Sequence, residues 1–205
     1  MANHDPSQSP AEISLKRLKD GNARFVSGQA RLSTLQADDL VDLVKRQKPY
    51  ATILGCSDSR VPPELVFDAG FGELFVVRVA GNTLGPSVEG TLQYAAAHLH
   101  TPLFVVMGHE GCGAVKAAID SKFGGGQQRS RIALLLENIL PALEELNDKL
   151  TPEMLVDAAV EANVRWTMRR LLESPERQAG MAAKDGFKLV GAVCGLRTGR
   201  VRFLE

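Results

Sequence analysis

The chain has 205 residues, enough for one well-buried domain and short for two. Its 24 Lys and Arg residues balance its 24 Asp and Glu residues, so charge gives no bias toward nucleic acid or anionic membranes. No apolar stretch is long enough to span a bilayer, and the polar start lacks the apolar core of a secretory signal. We therefore expect a soluble, cytoplasmic domain that binds neither nucleic acid nor membrane.

The chain has three cysteines, and their odd number without a secretory signal argues against a disulfide framework. In a reducing compartment such residues are core side chains, metal ligands or nucleophiles. Cys194 falls in a predicted strand and is expected to be a small core side chain. Cys56 and Cys112 are considered below as ligands or nucleophiles.

The amino-terminal region is predicted to be a flexible tail followed by a helical arm. Residues 1–10 are polar and lack hydrophobic periodicity. One amphipathic helix is predicted at 10–27 and a second from residue 33 or 34 to about 46. The apolar stripes of this arm, residues 11–46, need a surface to cover.

From residue 51 onward, predicted strands alternate with predicted helices. The strands are expected at 51–55, 73–79, 102–107, 189–194 and 201–204, and the helices at 64–68, 86–99, 112–122, 130–146 and 151–173. This alternation predicts an α/β fold with a mostly parallel sheet flanked by helices, closed by an antiparallel hairpin. With no internal repeat and no linker, residues 11–205 are expected to form a single domain.

The segment after the first predicted strand presents a soft metal ligand, a carboxylate and a guanidinium. Side chains alternate in an extended chain, so Cys56, Asp58 and Arg60 are expected to point the same way. Arg60 can keep Asp58 ionised and fix its direction through paired hydrogen bonds.

A second group of candidate ligands follows the third predicted strand. Two residues separate His109 from Cys112, and the neighbouring glycines allow a tight turn that aims both side chains at one ion. With Cys56 they form a Cys₂His set, which leaves the fourth tetrahedral position free, as in catalytic zinc sites. The sequence thus predicts one zinc ion per chain. The alternative is a cysteine-dependent enzyme in which His109 activates Cys112.

Three segments resemble β-class carbonic anhydrases in the order and spacing of that family. They are Cys56-Ser57-Asp58-Ser59-Arg60, Phe75-Val76-Val77-Arg78-Val79-Ala80-Gly81-Asn82 and Gly108-His109-Glu110-Gly111-Cys112-Gly113. The resemblance implies reversible hydration of CO₂ to bicarbonate and a proton, in which zinc-bound hydroxide attacks CO₂ and the Asp58–Arg60 pair orients the zinc-bound water. It also implies the strand order 2-1-3-4-5, which places the ligands at the carboxyl ends of neighbouring strands.

The resemblance further implies a substrate pocket. The family has a glutamine that hydrogen-bonds substrate where this chain has Gln47, and the N–H of Gly113, at a predicted helix start, could donate to a bicarbonate oxygen. The positions that match the apolar wall of the family's narrow pocket are Phe75, Ala80 and Tyr94.

Self-association and regulation are also implied by the resemblance. Amino-terminal helices in the family reach across a partner subunit, so the arm at 11–46 is predicted to support a homodimer or a dimer of dimers (a homotetramer). One subgroup carries a tryptophan that helps bind regulatory bicarbonate, and this chain has Ile53 there, so we expect an open site. A CS₂ or COS hydrolase on the same scaffold and a non-catalytic zinc- or bicarbonate-binding module stay as alternatives.

Overall fold

The computed structural model describes residues 8–31, 43–126, 128–147, 149–173 and 188–204. These residues fold around a five-stranded sheet. Its strands are β1 (Ala51–Gly55), β2 (Leu74–Arg78), β3 (Leu103–His109), β4 (Lys188–Cys194) and β5 (Val201–Leu204). Their order is β2-β1-β3-β4-β5, and only the β4–β5 pairing is antiparallel. The predicted strand order and the antiparallel last strand are confirmed.

Helices connect the strands and flank the sheet. The α-helices are α1 (Pro10–Val26), α2 (Pro63–Val66), α3 (Pro86–Tyr94), α4 (Gly113–Phe123), α5 (Ser130–Leu136) and α6 (Pro152–Glu173). Short 3₁₀ turns occur at Ala80–Asn82 and Leu140–Leu143, and a π-helical turn at Ala95–Leu99 continues α3. Among these described helices, none is both long enough and apolar enough to cross a membrane.

Helix α1 begins at a capping box. The Ser9 side chain accepts from the Glu12 N–H, and the Glu12 carboxylate accepts from the Ser9 N–H, so two otherwise unpaired donors are satisfied. The helix ends at Val26, one residue before its predicted end, and Ser27 is its C-cap. Residues 1–7 of the predicted tail lie outside the described residues, as does the second predicted helix up to residue 42. Its residues 43–45 are described as helical.

The two faces of the sheet are covered by different helices. Ile53 and Met107 lie on one face with Leu18 of α1, and all three side chains are fully buried. Leu54 and neighbouring apolar side chains lie on the other face, against Val164 of α6. The alternation of side chains along β1 thus builds three layers, helix on sheet on helix.

The prediction of a single helix at 130–146 is wrong. Helix α5 ends at Leu136, and a 3₁₀ turn follows at Leu140–Leu143. Pro141 has no N–H for a continuing helix. Helix α6 fixes the break, because Trp166 donates to the Asn138 backbone oxygen at 3.1 Å and Arg170 donates to its side-chain oxygen at 3.0 Å.

The sheet brings two strand ends together. Gly55, the last residue of β1, pairs with Met107 of β3, so the chain leaves both strands at the same edge of the sheet. Cys56 follows directly after β1, and His109 is the last residue of β3. Ligands of open α/β sheets bind at such a point.

Candidate metal centre

Three buried side chains converge at the carboxyl ends of β1 and β3. Cys56 follows β1, His109 ends β3, and Cys112 is the residue before α4. The potential ligand atoms of these residues all lie within 4.8 Å of one another, and the two Sγ atoms are 3.9 Å apart. The structure therefore assembles a Cys₂His group that could hold one metal ion.

The histidine of this group has one nitrogen occupied and one without a partner. His109 Nδ1 lies 3.0 Å from the Glu110 carbonyl oxygen, which can only accept, so Nδ1 carries the hydrogen. Nε2 is then a buried acceptor with no hydrogen-bond partner among the described residues. A buried polar atom without a partner is costly, and a metal ion would satisfy it. The donor set of two sulfurs and one nitrogen fits zinc.

The two thiols are linked in a way that favours one thiolate before metal binds. A hydrogen bond from Cys112 is the main cause that lowers the pKa of Cys56, and the N–H of Gly81 adds to it at 3.3 Å from the sulfur. Cys112 is the partner that keeps its proton, so its pKa is raised. Metal binding requires both thiols to be deprotonated and so releases protons.

Asp58 lies beside the candidate ligands and is held by Arg60. The guanidinium donates to both carboxylate oxygens, Nε to Oδ1 at 2.8 Å and Nη2 to Oδ2 at 2.7 Å. The Arg60 hydrogen bonds hold the pKa of the Asp58 carboxyl well below its usual range. Oδ2 is also 3.8 Å from His109 Nε2, so an ionised carboxylate faces the place where a metal would bind.

Arg78 fixes the backbone of the same loop. Its guanidinium donates to the carbonyl oxygen of Cys56 at 2.9 Å and to that of Asp58 at 2.5 Å. Arg78 is the last residue of β2, which is hydrogen-bonded to β1. The loop after β1 is therefore held both by the pairing of the two strands and by the Arg78 side chain. The loop that carries a candidate ligand and the carboxylate is therefore anchored from β2.

Two of the predicted substrate-pocket residues adjoin the group. Gly113 follows Cys112 and is the first residue of α4. Ala80 lies in the 3₁₀ turn directly before Gly81, and the Gly81 N–H donates to the Cys56 sulfur. Both positions are compatible with a pocket beside the metal.

The other three predicted pocket residues lie elsewhere in the same chain. Gln47 is exposed and precedes β1, whereas Cys56 follows that strand. Phe75 pairs with Thr52 near the amino end of β1, and the Tyr94 ring packs against it with a centroid distance of 6.3 Å. Within one chain the sheet thus does not bring Gln47 next to the Cys₂His group.

Sequence reasoning missed Gly81 and Asn163 as neighbours of the candidate ligands. Asn163 donates to the Gly81 carbonyl oxygen at 2.8 Å from the middle of α6. A signal was present, because Asn163 interrupts the apolar stripe that includes Val160 and Val164. The sequence did not show which backbone that stripe would meet.

Comparison with known proteins identifies carbonic anhydrases as relatives of this chain. Residues 51–201 match the family model described as carbonic anhydrase. A carbonic anhydrase of Mycolicibacterium smegmatis is 36% identical over 197 residues, covering 96% of this chain and 94% of the relative. Carbonic anhydrase 2 of Mycobacterium tuberculosis is 35% identical over 199 residues, covering 95% and 93%.

Solved structures with the same fold are also described as β-carbonic anhydrases. The β-carbonic anhydrase of Coccomyxa, solved in complex with acetazolamide, has a TM-score of 0.74 and 26% identity, and the match covers 93% of this chain and 86% of that one. One of two tetrameric β-carbonic anhydrases from Sordaria macrospora has a TM-score of 0.75 at 23% identity, covering 94% and 98%. The latter match is one of fold alone.

Proposed function

This chain belongs to the β-carbonic anhydrase family, and from that membership we propose that it hydrates CO₂ reversibly to bicarbonate and a proton, with one zinc ion held by Cys56, His109 and Cys112. The observation that carries the proposal is the buried His109 Nε2, which has no hydrogen-bond partner within the described part of the chain and lies beside two buried sulfurs. A structural core histidine would have found a partner for that nitrogen.

Each ligand is supported by a neighbouring group. The Glu110 carbonyl fixes the tautomer of His109, and the Gly81 N–H is directed at Cys56 Sγ. Three protein ligands leave a fourth position free for chemistry. When bound, zinc supplies the Lewis acidity that lowers the pKa of a water molecule and so generates a nucleophile for CO₂ at neutral pH.

The Asp58 carboxylate orients the attacking water. An ionised carboxylate only accepts hydrogen bonds, so it accepts a hydrogen from that water and leaves an oxygen lone pair directed at carbon. The two-pronged grip of Arg60 keeps the carboxylate ionised and fixes its direction. The same grip holds Asp58 away from the metal's free position, which keeps the site open.

Substrate contacts are proposed for the residues around this position. Gly113, at the start of α4, offers a backbone N–H to a bicarbonate oxygen, and Ala80 contributes to an apolar wall for CO₂. Gln47, Phe75 and Tyr94 lie away from the group of their own chain, so their proposed roles require the site of a second copy. Dimer or tetramer formation therefore belongs to the proposal, and a cytoplasmic location stays a prediction.

Metal analysis combined with stopped-flow CO₂ hydration tests the function. We expect about one zinc per chain, since one ligand set is present among the described residues. Cys56→Ala, His109→Ala and Cys112→Ala should lose metal and activity together. Cys194→Ala is the matched control, because this buried cysteine lies outside the ligand group. Full zinc occupancy in all three ligand variants would refute the site.

Two further assays separate the alternative functions. A cysteine-dependent enzyme would keep its activity after chelation, whereas a zinc enzyme should lose it and regain it on back-titration with zinc. A zinc-loaded protein without CO₂ hydration activity would be a binding module. Faster turnover of CS₂ or COS than of CO₂ would identify the hydrolase.

A further inference from the structure

Asn163 is a polar side chain in an apolar layer. It lies on the inner face of α6, it is 1% exposed, and its neighbours Val160 and Val164 are equally buried. Its Nδ2 donates to the Gly81 carbonyl oxygen, whereas its Oδ1 has no partner among the described residues. A leucine of similar size would remove the unpaired Oδ1 but would leave the buried Gly81 carbonyl oxygen without this donor, so what the amide contributes here is its hold on Gly81.

The backbone that Asn163 contacts is that of Gly81, and its conformation and close packing favour glycine. Gly81 has φ +68°, and a Cβ there would lie 2.8 Å from Ile139 Cδ1 and 3.1 Å from Ala114 Cβ. Its carbonyl oxygen receives Asn163, and its N–H points at Cys56 Sγ from 3.3 Å. The orientation of Gly81 therefore decides whether the sulfur receives this backbone hydrogen bond in addition to its contact with Cys112.

We propose that Asn163 is a positioning residue of the metal centre, which holds Gly81 so that its N–H hydrogen-bonds the Cys56 sulfur. The proposal rests on the zinc site proposed above. An N–H···S hydrogen bond fixes the direction of the sulfur and draws charge from it. The sulfur then donates less charge to the metal, which remains a stronger Lewis acid. Asn163 acts on the reaction through Gly81 and Cys56 and does not touch substrate.

Thr167 supplies a matched control from the same helix. It lies one turn further along α6, it is 2% exposed, and its Oγ1 donates to the Asn82 carbonyl oxygen at 3.4 Å. It thus holds the same 3₁₀ turn through the next carbonyl. The Asn82 N–H goes to the Val79 carbonyl rather than to a sulfur. Loss of this contact loosens the turn without removing the residue that aims Gly81.

The first experiment uses the cobalt-substituted full-length protein. In Asn163→Leu the sulfur should become more electron-rich, so the thiolate-to-cobalt charge-transfer band should move to longer wavelength than in the unmodified protein. Zinc affinity, measured by chelator competition, should fall by about 10- to 100-fold, as for other residues that support metal ligands. Thr167→Val should keep both the band and the affinity. An unchanged band in Asn163→Leu, or an equal shift in Thr167→Val, would overturn the role.

The second experiment needs no variant and so does not depend on how well Asn163→Leu folds. In the ¹¹³Cd-loaded protein, the Gly81 amide proton should show a scalar coupling to cadmium through the Cys56 sulfur. A Gly81 amide without that coupling would overturn the proposal. If the unmodified protein binds neither cobalt nor cadmium, the zinc site itself fails as well. If metal binds and only the band or the coupling is missing, the proposed function stands and the role of Asn163 falls.

Discussion

At the scale of single residues, Arg60 has the clearest consequence. Its two hydrogen bonds keep Asp58 ionised, and the Asp58 Oδ2 atom is already 3.8 Å from His109 Nε2. In Arg60→Ala the freed carboxylate can enter the metal's open position and exclude water. We expect zinc content to be retained and CO₂ hydration to fall by about 10- to 100-fold, measured by metal analysis and stopped-flow kinetics.

Two companion variants separate this explanation from simple loss of charge. Arg60→Lys should be almost as impaired, because an ammonium group cannot make the two-pronged contact. Asp58→Ala should also lose activity, but it has no carboxylate with which to block the metal, so X-ray absorption should differ between Asp58→Ala and Arg60→Ala. Near-normal turnover in Arg60→Ala, with water still bound to zinc, would show that the ion pair is only structural.

At the scale of secondary-structure elements, Asn22 joins α1 to two distant segments. Its Nδ2 donates to the carbonyl oxygens of Val66 and Gly199, and its Oδ1 accepts from the Val201 N–H. Asn22→Ala would leave these backbone groups without their side-chain partner, at a cost of about 2–4 kcal/mol in the free energy of unfolding. Urea denaturation measures this change in the free energy of unfolding. Lys16→Ala, which removes only an exposed ion pair on α1, should change stability little.

Asp68 gives a pH-dependent connection between α1 and the segment after α2. Burial opposes ionisation, but the side chains of Arg24 and Arg31 and the Arg31 N–H outweigh it, so the pKa of Asp68 is lowered. A lowered folded-state pKa adds stability that is present above the unfolded value of about 3.9 and is lost as pH falls through the folded value.

Asp68→Asn should therefore be less stable than the unmodified protein at pH 7, with a constant difference down to about pH 5. The difference should narrow below about pH 4, since Asp68 is then neutral in both states. Denaturant titrations at several pH values measure this, with Asp20→Asn as the exposed control. A difference that stays constant down to pH 3 would show that the carboxylate charge contributes nothing.

The limits of sequence-based prediction are also visible in these elements. β1 and β5 were predicted at their observed bounds because β1 is a short apolar run and β5 follows the turn signal at Thr198 and Gly199. The Cys₂His group was predictable because Cys56 and His109 stand at strand ends and Cys112 follows His109 by three residues. The break after α5 was not, since it depends on contacts of Asn138 with α6. The roles of Asn22 and Asn163 were missed for the same reason, because their partners are distant in sequence.

At the scale of the whole molecule, α1 is part of the chain's own core. Leu18 is fully buried with Ile53 and Met107, so the helix covers one face of the sheet. Removal of residues 1–45 would expose that face and remove Asn22. We expect the truncated chain to be insoluble or unfolded, as judged by circular dichroism and sedimentation. A folded, active truncated monomer would contradict this.

The last prediction concerns self-association. Phe71 is 67% exposed and Leu65 55% exposed, and with Phe25 they line a largely apolar cleft of about 780 Å³. Exposed apolar clusters of this kind mark interaction surfaces. A second copy is the expected occupant, because the proposed substrate role of Gln47, which precedes β1 whereas Cys56 follows it, requires the site of another chain. Sedimentation at micromolar concentration should show at least a dimer.

Phe71→Glu should shift the protein toward the monomer and lower its CO₂ hydration activity. Phe123→Glu changes another exposed phenylalanine, at the end of α4, and should affect neither the oligomeric state nor the activity. A fully active monomer would remove both the interface and the proposed role of Gln47.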